Sequence, residues 1–154
     1  MSTPEPKIKV LFICIHNRAR SQIAEAWLNQ VCGESFQAES AGLEPGTLNP
    51  LVVEAMREAG IDISHKKTQA VFDVFKCGRM FNFTIAVCDG ASAERCPIFP
   101  GVTKRLHWSF PDPSVLTGTK EEKLAQIRPI RDMIKKQIET WCAEICDTTT
   151  CAQN

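Results

Sequence analysis

The residues best equipped for chemistry stand near the N-terminus: Cys14 and, five positions later, the pair Arg20-Ser21. Between them runs Ile15-His16-Asn17-Arg18-Ala19. A cysteine attacks as its thiolate, and an arginine presents a planar fork that clamps two oxygens of an anion. Five residues between a strand and a helix can curl so that successive backbone N–H groups point inward, making an anion-binding nest. The N-terminus of the following helix adds unpaired donors and its positive dipole end at the same point. Ile15, His16, Asn17, Arg18, Ala19, Arg20 and Ser21 would then cradle a tetrahedral oxyanion, and the same surroundings favour the thiolate of Cys14. The plainer alternative is a buried strand-end thiol beside a surface arginine. With eight cysteines in the chain, a chance match to this spacing is not negligible. A chance match placed between an apolar strand and an amphipathic helix is far rarer.

Those two elements are legible on either side. Ile8 to Cys14 contains the unbroken apolar run Val10-Leu11-Phe12-Ile13, suited to a strand buried on both faces. Ile23, Ala24, Trp27, Leu28 and Val31 recur at helical spacing until Gly33 stops the pattern. Phe36 to Ser40 makes a short second strand. Asn49-Pro50 opens a helix with a side-chain cap and a first-turn proline; Leu51, Val52, Ala55, Met56 and Ala59 form its stripe, and Gly60 closes it. Phe81, Phe83, Ile85 and Val87 alternate with Asn82, Thr84 and Ala86 in a third strand ending at Cys88, and Lys104 to Trp108 makes a fourth. From Lys120 a long stripe runs through Leu124, Ile127, Ile130, Ile134, Ile138, Trp141 and Ile145, with Pro129 expected to kink or divide the helix. Strand and helix alternate, which predicts an α/β architecture with a mostly parallel sheet and ligands beyond the carboxyl ends of its strands.

Bulk properties narrow the classes. A chain of 154 residues fits one domain, here expected over 1–154 with a core at about 7–146 and a polar tail, 147–154, that frays. Eighteen basic and eighteen acidic residues give no net charge, which argues against nucleic acid or a polybasic membrane surface. No signal pattern opens the chain and no apolar run is long enough to span a bilayer, so a cytoplasmic location is expected. In a reducing compartment, eight cysteines point to catalysis or metal binding rather than a disulfide framework.

The segment Val10-Leu11-Phe12-Ile13-Cys14, followed by Asn17, Arg20-Ser21-Gln22 and Ala24-Glu25, resembles the opening of low-molecular-weight protein tyrosine phosphatases and their arsenate reductase relatives. The resemblance continues through Ser40-Ala41-Gly42 and Ile61-Asp62-Ile63-Ser64 to Trp108-Ser109-Phe110-Pro111-Asp112-Pro113, covering roughly residues 7 to 140. It implies a four-stranded parallel sheet in the order 2-1-3-4 flanked by helices. It also implies Cys14 as nucleophile, Arg20 as oxyanion clamp, Ser21 as hydrogen-bond donor to the thiolate and Asn17 as organiser of the loop. Asp112 would be the general acid that protonates a departing oxygen, on a loop stiffened by Pro113. Alone, Asp-Pro is only a turn signal. His16 and Arg18 depart from the small residues often found at their positions.

A phosphatase of this type needs one cysteine, yet the chain also carries Cys88 and Cys96, separated by Asp89-Gly90-Ala91-Ser92-Ala93-Glu94-Arg95. In the implied strand order, strands one and three are neighbours about 4.8 Å apart. Cys14 and Cys88 would then end adjacent strands on the same edge, with Cys96 beyond a run of small residues. This resembles the paired cysteines of thioredoxin-coupled arsenate reductases, some of which have one residue fewer between the pair. The resemblance implies reduction of arsenate to arsenite by a relay from Cys14 to Cys88 to Cys96, with no bound cofactor or metal. Thioredoxin would be the external reductant in preference to glutathione with glutaredoxin or mycothiol. Phosphate would act as a mimic of arsenate, and weak phosphatase activity would accompany the main reaction. Without a relay, Cys88 is a core thiol and Cys96 a chance occurrence.

Two alternatives stay open at this stage. The first is a tyrosine phosphatase using Cys14, Arg20 and Asp112 alone. The chain has no tyrosine, however, and Ser114 and Val115 stand where tyrosines often follow the Asp-Pro of those enzymes. The second is zinc or arsenite held by Cys142, Cys146 and Cys151; the first two lie four apart on one helix face, but no histidine is near and the spacing fits no zinc pattern. Some family members bind potassium near the active loop. Asn17, Glu25 and Ser40 fall at matching positions, while Gln69 stands where an acidic ligand is expected. His65 and His107 are solitary and read as ordinary surface or core histidines; Cys32 and Cys77 have no assigned role.

Overall fold

The most apolar stretch of the sequence lies at the centre of the sheet. In a computed structural model that describes residues 7–88 and 103–145, the first strand, β1, is Ile8–Cys14, and every side chain from Val10 to Cys14 is buried. It is followed by α1 (Arg20–Cys32), β2 (Phe36–Gly42), α2 (Pro50–Glu58), α3 (Val71–Lys76), β3 (Phe83–Ala86), β4 (Lys104–His107), a 3-10 turn at Pro113–Val115 and α4 (Lys120–Ile145). The four strands are parallel in the order β2-β1-β3-β4, as the family resemblance implied. In register, Cys14 faces Gly42 of β2, and Ile13 faces Ala86 of β3.

Alternation along β1 sends its side chains to opposite faces. Val10, Phe12 and Cys14 join Ile23, Trp27 and Leu28 of α1, Val52 and Met56 of α2, and the buried stripe of α4 in one cluster. Leu11 and Ile13 join Ala41, Leu43, Val71, Val74 and Phe81 on the other face. Trp141 of α4 pins the larger layer: its ring centroid lies 5.3 Å from Phe36, 4.9 Å from Phe83 and 5.5 Å from Trp108. Tilted and edge-on contacts of this kind add to the area they bury.

Three expectations need correction. The third strand is shorter than the alternating pattern suggested, ending at Ala86 with Cys88 just beyond it. Helix α3 was not anticipated, because six residues with two buried valines carry too little periodicity to detect. Pro129 does not divide α4, which is one helix of 26 residues with Pro129 on its exposed side. The proline removes one backbone donor, but the buried stripe from Leu124 to Trp141 holds the turns before and after it against the sheet. The expected tail, 147–154, lies outside the described residues. Among the described residues, no helix is long and apolar enough to cross a membrane.

Candidate active site

The loop between β1 and α1 takes its shape from a second segment that runs alongside it. Leu43 N donates to Cys14 O at 3.1 Å, Glu44 N to Ile15 O at 2.7 Å, Gly46 N to His16 O at 2.9 Å and Asn49 N to Arg18 O at 3.0 Å. The carbonyls of Cys14 and of three loop residues are thereby tied to that segment, while Asn17 N donates to the Cys14 sulfur. The approach is close: a Cβ on Gly42 would lie 2.8 Å from Asn17 N and 2.9 Å from both His16 C and Ile15 O, so only glycine fits there. Helix α1 contributes its own unpaired donors to the same point, since it has no side-chain cap hydrogen bond and no acidic residue in its first turn.

Cys14 sits at the centre of this arrangement and is 3% exposed. Its sulfur lies 3.1 Å from the donating Asn17 N and 2.8 Å from Ser21 Oγ. Asn17 Nδ2 donates to the same Ser21 oxygen at 2.8 Å, which leaves the hydroxyl hydrogen of Ser21 to point at the sulfur. Two donors therefore converge on Cys14. Asn17 is fully buried and holds a positive φ of 55°, a conformation asparagine tolerates better than most residues. Its Oδ1 accepts from Gln69 N at 3.1 Å and Gln22 Nε2 at 3.2 Å. Asn17 thus ties the loop to α1 and to the segment before α3. Gln69 and the strap at 43–49 went unassigned in the sequence, because their contribution is a long-range contact; the local hints were a glycine closing β2 and Pro45-Gly46 shortly after it.

Arg20 and Asp112 meet at the mouth. Arg20 Nη2 lies 3.5 Å from Asp112 Oδ2, and Nη1 donates to Phe110 O at 3.3 Å. Cys14, His16, Arg18, Ala19, Arg20 and Asp112 line one small cavity. The Asp-Pro turn far along the chain therefore closes onto the loop from the other side. His16 and Arg18 lean away from the centre: His16 Nδ1 hydrogen-bonds Glu44 O at 2.8 Å, and Arg18 Nε donates to Thr47 O at 3.0 Å. Their side chains, like their carbonyls, brace the strap.

Cys88 follows β3, is 1% exposed, and lies one step beyond Val87, the residue that continues the register opposite Cys14. Cys96, Cys146 and Cys151 lie outside the described residues. Cys142 is buried in the main core cluster, and among the described residues no group of three or more histidine, cysteine, aspartate or glutamate side chains could hold a metal ion. The residues at the potassium-matching positions do not fit a cation either. Glu25 accepts from Ser40 Oγ at 2.7 Å and is ion-paired with the Lys66 ammonium, while Gln69 Nε2 donates to Ser40 O at 2.9 Å. The oxygens of Asn17, Glu25 and Ser40 that a cation would use each face a donor, and Lys66 already balances the buried Glu25 carboxylate.

The model of the low molecular weight phosphotyrosine protein phosphatase family matches residues 9–150. The chain is 41% identical to an arsenate reductase of Bacillus licheniformis over 135 residues, 86% of this chain and 94% of that protein. Among solved structures it resembles an arsenate reductase in the phosphate binding state, with a TM-score of 0.71 and 25% identity, over 90% of this chain and 98% of the other. It also resembles the thioredoxin-dependent arsenate reductase of Corynebacterium glutamicum, with a TM-score of 0.62 and 30% identity, over 90% of this chain and 65% of that one.

Proposed function

This chain belongs to the low molecular weight phosphotyrosine protein phosphatase family, and from that premise we propose that it is an arsenate reductase in which the family's oxyanion loop is joined to a cysteine relay. The observation that carries this reading is the placement of a second buried cysteine, Cys88, just past the end of the strand adjacent to the one that ends at Cys14.

The mechanism assigns each residue a bond. Loop amides 15–21 and the Arg20 fork hold arsenate, and the Cys14 thiolate attacks arsenic while Asp112 protonates the oxygen that leaves as water. Cys88, as thiolate, then attacks the Cys14 sulfur. The sulfur–arsenic electron pair passes to arsenic, which departs as arsenite, reduced by two electrons, and a Cys14–Cys88 disulfide remains. Cys96 attacks Cys88, frees the Cys14 thiolate and leaves a Cys88–Cys96 disulfide. An external dithiol protein of the thioredoxin type reduces that disulfide and supplies the two electrons. No resident cofactor or metal enters the sequence of steps. Phosphate, with the same shape and charge, occupies the cradle as an inhibitor, and phosphate monoesters are hydrolysed slowly. The dependence on a reducing dithiol partner supports a cytosolic setting for the reaction.

A phosphatase acting through Cys14, Arg20 and Asp112 alone would not need Cys88. Cys88→Ser separates the two readings. Arsenate reduction coupled to thioredoxin, thioredoxin reductase and NADPH should fall at least a thousandfold, with p-nitrophenyl phosphate hydrolysis within about twofold of the parent. Retained arsenate reduction in Cys88→Ser would remove the relay and leave the phosphatase.

A further inference from the structure

Strand β4 leaves the sheet before it can complete the pairing of Cys88. Val87 N donates to Ile13 O at 2.8 Å on one side of β3, and Trp108 N donates to Ala86 O at 2.8 Å on the other. A regular parallel ladder would next offer the amide of Phe110 to the carbonyl of Cys88. Instead the chain turns at Phe110-Pro111 toward the oxyanion loop, where Phe110 O accepts from Arg20 Nη1. The carbonyl of Cys88 is met by a side chain: His107 Nε2 hydrogen-bonds Cys88 O, with Ser109 Oγ 3.5 Å from the same nitrogen. A carbonyl only accepts, so the proton of this bond is on Nε2.

The bond lies on the path the relay requires. Ile13 faces Ala86, so Cys14 falls opposite Val87 and Cys88 is one position further on. Cys88 lies past the end of β3, in the same buried core cluster as Cys14, and is 1% exposed. The relay ends with a disulfide at Cys88 that an external dithiol has to reach, so the backbone at Cys88 has to shift out of the core, and the carbonyl held by His107 shifts with it.

We propose that His107 is a positioning residue for the reduction: its ring clasps the Cys88 carbonyl and keeps the second cysteine seated in the core of the resting enzyme. Release of this clasp is then a distinct step before the disulfide at Cys88 can meet an external dithiol. The inference rests on the relay reading, since only the relay requires Cys88 to move.

The test is the rate at which iodoacetamide labels Cys88 in the reduced full-length protein, with phosphate present to cover Cys14. Peptide mass spectrometry reads the site of labelling. His107→Leu removes the donor, and His107→Gln keeps an N–H within reach of the same carbonyl. Losing one hydrogen bond of ordinary strength corresponds to labelling about two- to tenfold faster. The leucine variant should show that increase and the glutamine variant should stay near the parent, with p-nitrophenyl phosphate turnover unchanged in both. Equal labelling in all three proteins would overturn the proposal, as would a glutamine variant that behaves like leucine, or faster labelling at every buried cysteine alike. Failure of the relay itself would appear elsewhere, as arsenate reduction surviving in Cys88→Ser while the labelling pattern still held.

Discussion

At the scale of single residues, the site depends on where hydrogen bonds leave protons free to point. Asn17 satisfies the Ser21 oxygen from one side, and the Ser21 hydrogen is thereby committed to Cys14. Asn17→Ala would leave the part-buried Gln69 amide without its acceptor and put alanine at a positive φ. We expect a loss of about 1–3 kcal/mol of stability by urea unfolding, from the unpaired groups alone, together with at least a tenfold drop in kcat. Asn17→Gly relieves the backbone strain but restores no hydrogen bond, so it should recover part of the stability and little of the rate. Recovery of both would show that Asn17 matters for conformation only. Cys14 and Arg20 were legible in the sequence because their chemistry and spacing lie within one short loop. Gln69 and His107 were not, since each acts on a residue brought near only by the sheet.

At the scale of elements, β1 and α2 were readable because each carries its own boundary signal: an unbroken apolar run for the strand, and Asn49 accepting from Leu51 N at 3.0 Å ahead of Pro50 for the helix. The strap at 43–49 carries no such signal, because its function is to receive the carbonyls of another loop. Gly42 is its most sensitive point. Gly42→Ala must push the loop backbone aside, which should cost about 1–3 kcal/mol by overpacking and lower the rate of oxyanion chemistry. Gly60 makes the control: its φ of 89° strains alanine, yet nothing lies within 4 Å of the new Cβ. Gly60→Ala should lose stability and keep its rate, as steady-state kinetics and thermal melts on the two variants would record. Helices α2 and α4 are also joined by Arg128, whose Nε and Nη2 donate to the two oxygens of Glu58 at 2.9 Å each. That fork holds the Glu58 carboxyl below its ordinary value near 4.5. A carboxyl lowered on folding adds stability that is full above its unfolded value and is lost as pH falls through its folded one. Glu58→Gln should therefore lower Tm at pH 7 and match the parent at pH 3; an equal deficit at both would rule out the ionised pair as the cause.

At the scale of the whole molecule, alternating strands and helices were enough to indicate an α/β fold, but nothing in the local pattern orders the strands. The order 2-1-3-4 was legible only through the family resemblance, because it depends on which crossovers pack and not on any one segment. That order brings Cys14 at the end of β1 beside Cys88 after β3, 74 residues later in sequence. It also brings Asp112 and His107 from beyond and within β4 to those two cysteines. The fold thus gathers one thiol, the loop proposed to hold an oxyanion and a second thiol at a single sheet edge. The claim that these thiols exchange a disulfide is tested most directly by a single turnover with arsenate in Cys96→Ser, quenched in acid and mapped without reduction. The account predicts a peptide pair joined through Cys14 and Cys88, formed in step with arsenite. Arsenite released while residue 88 stays a free thiol would contradict it.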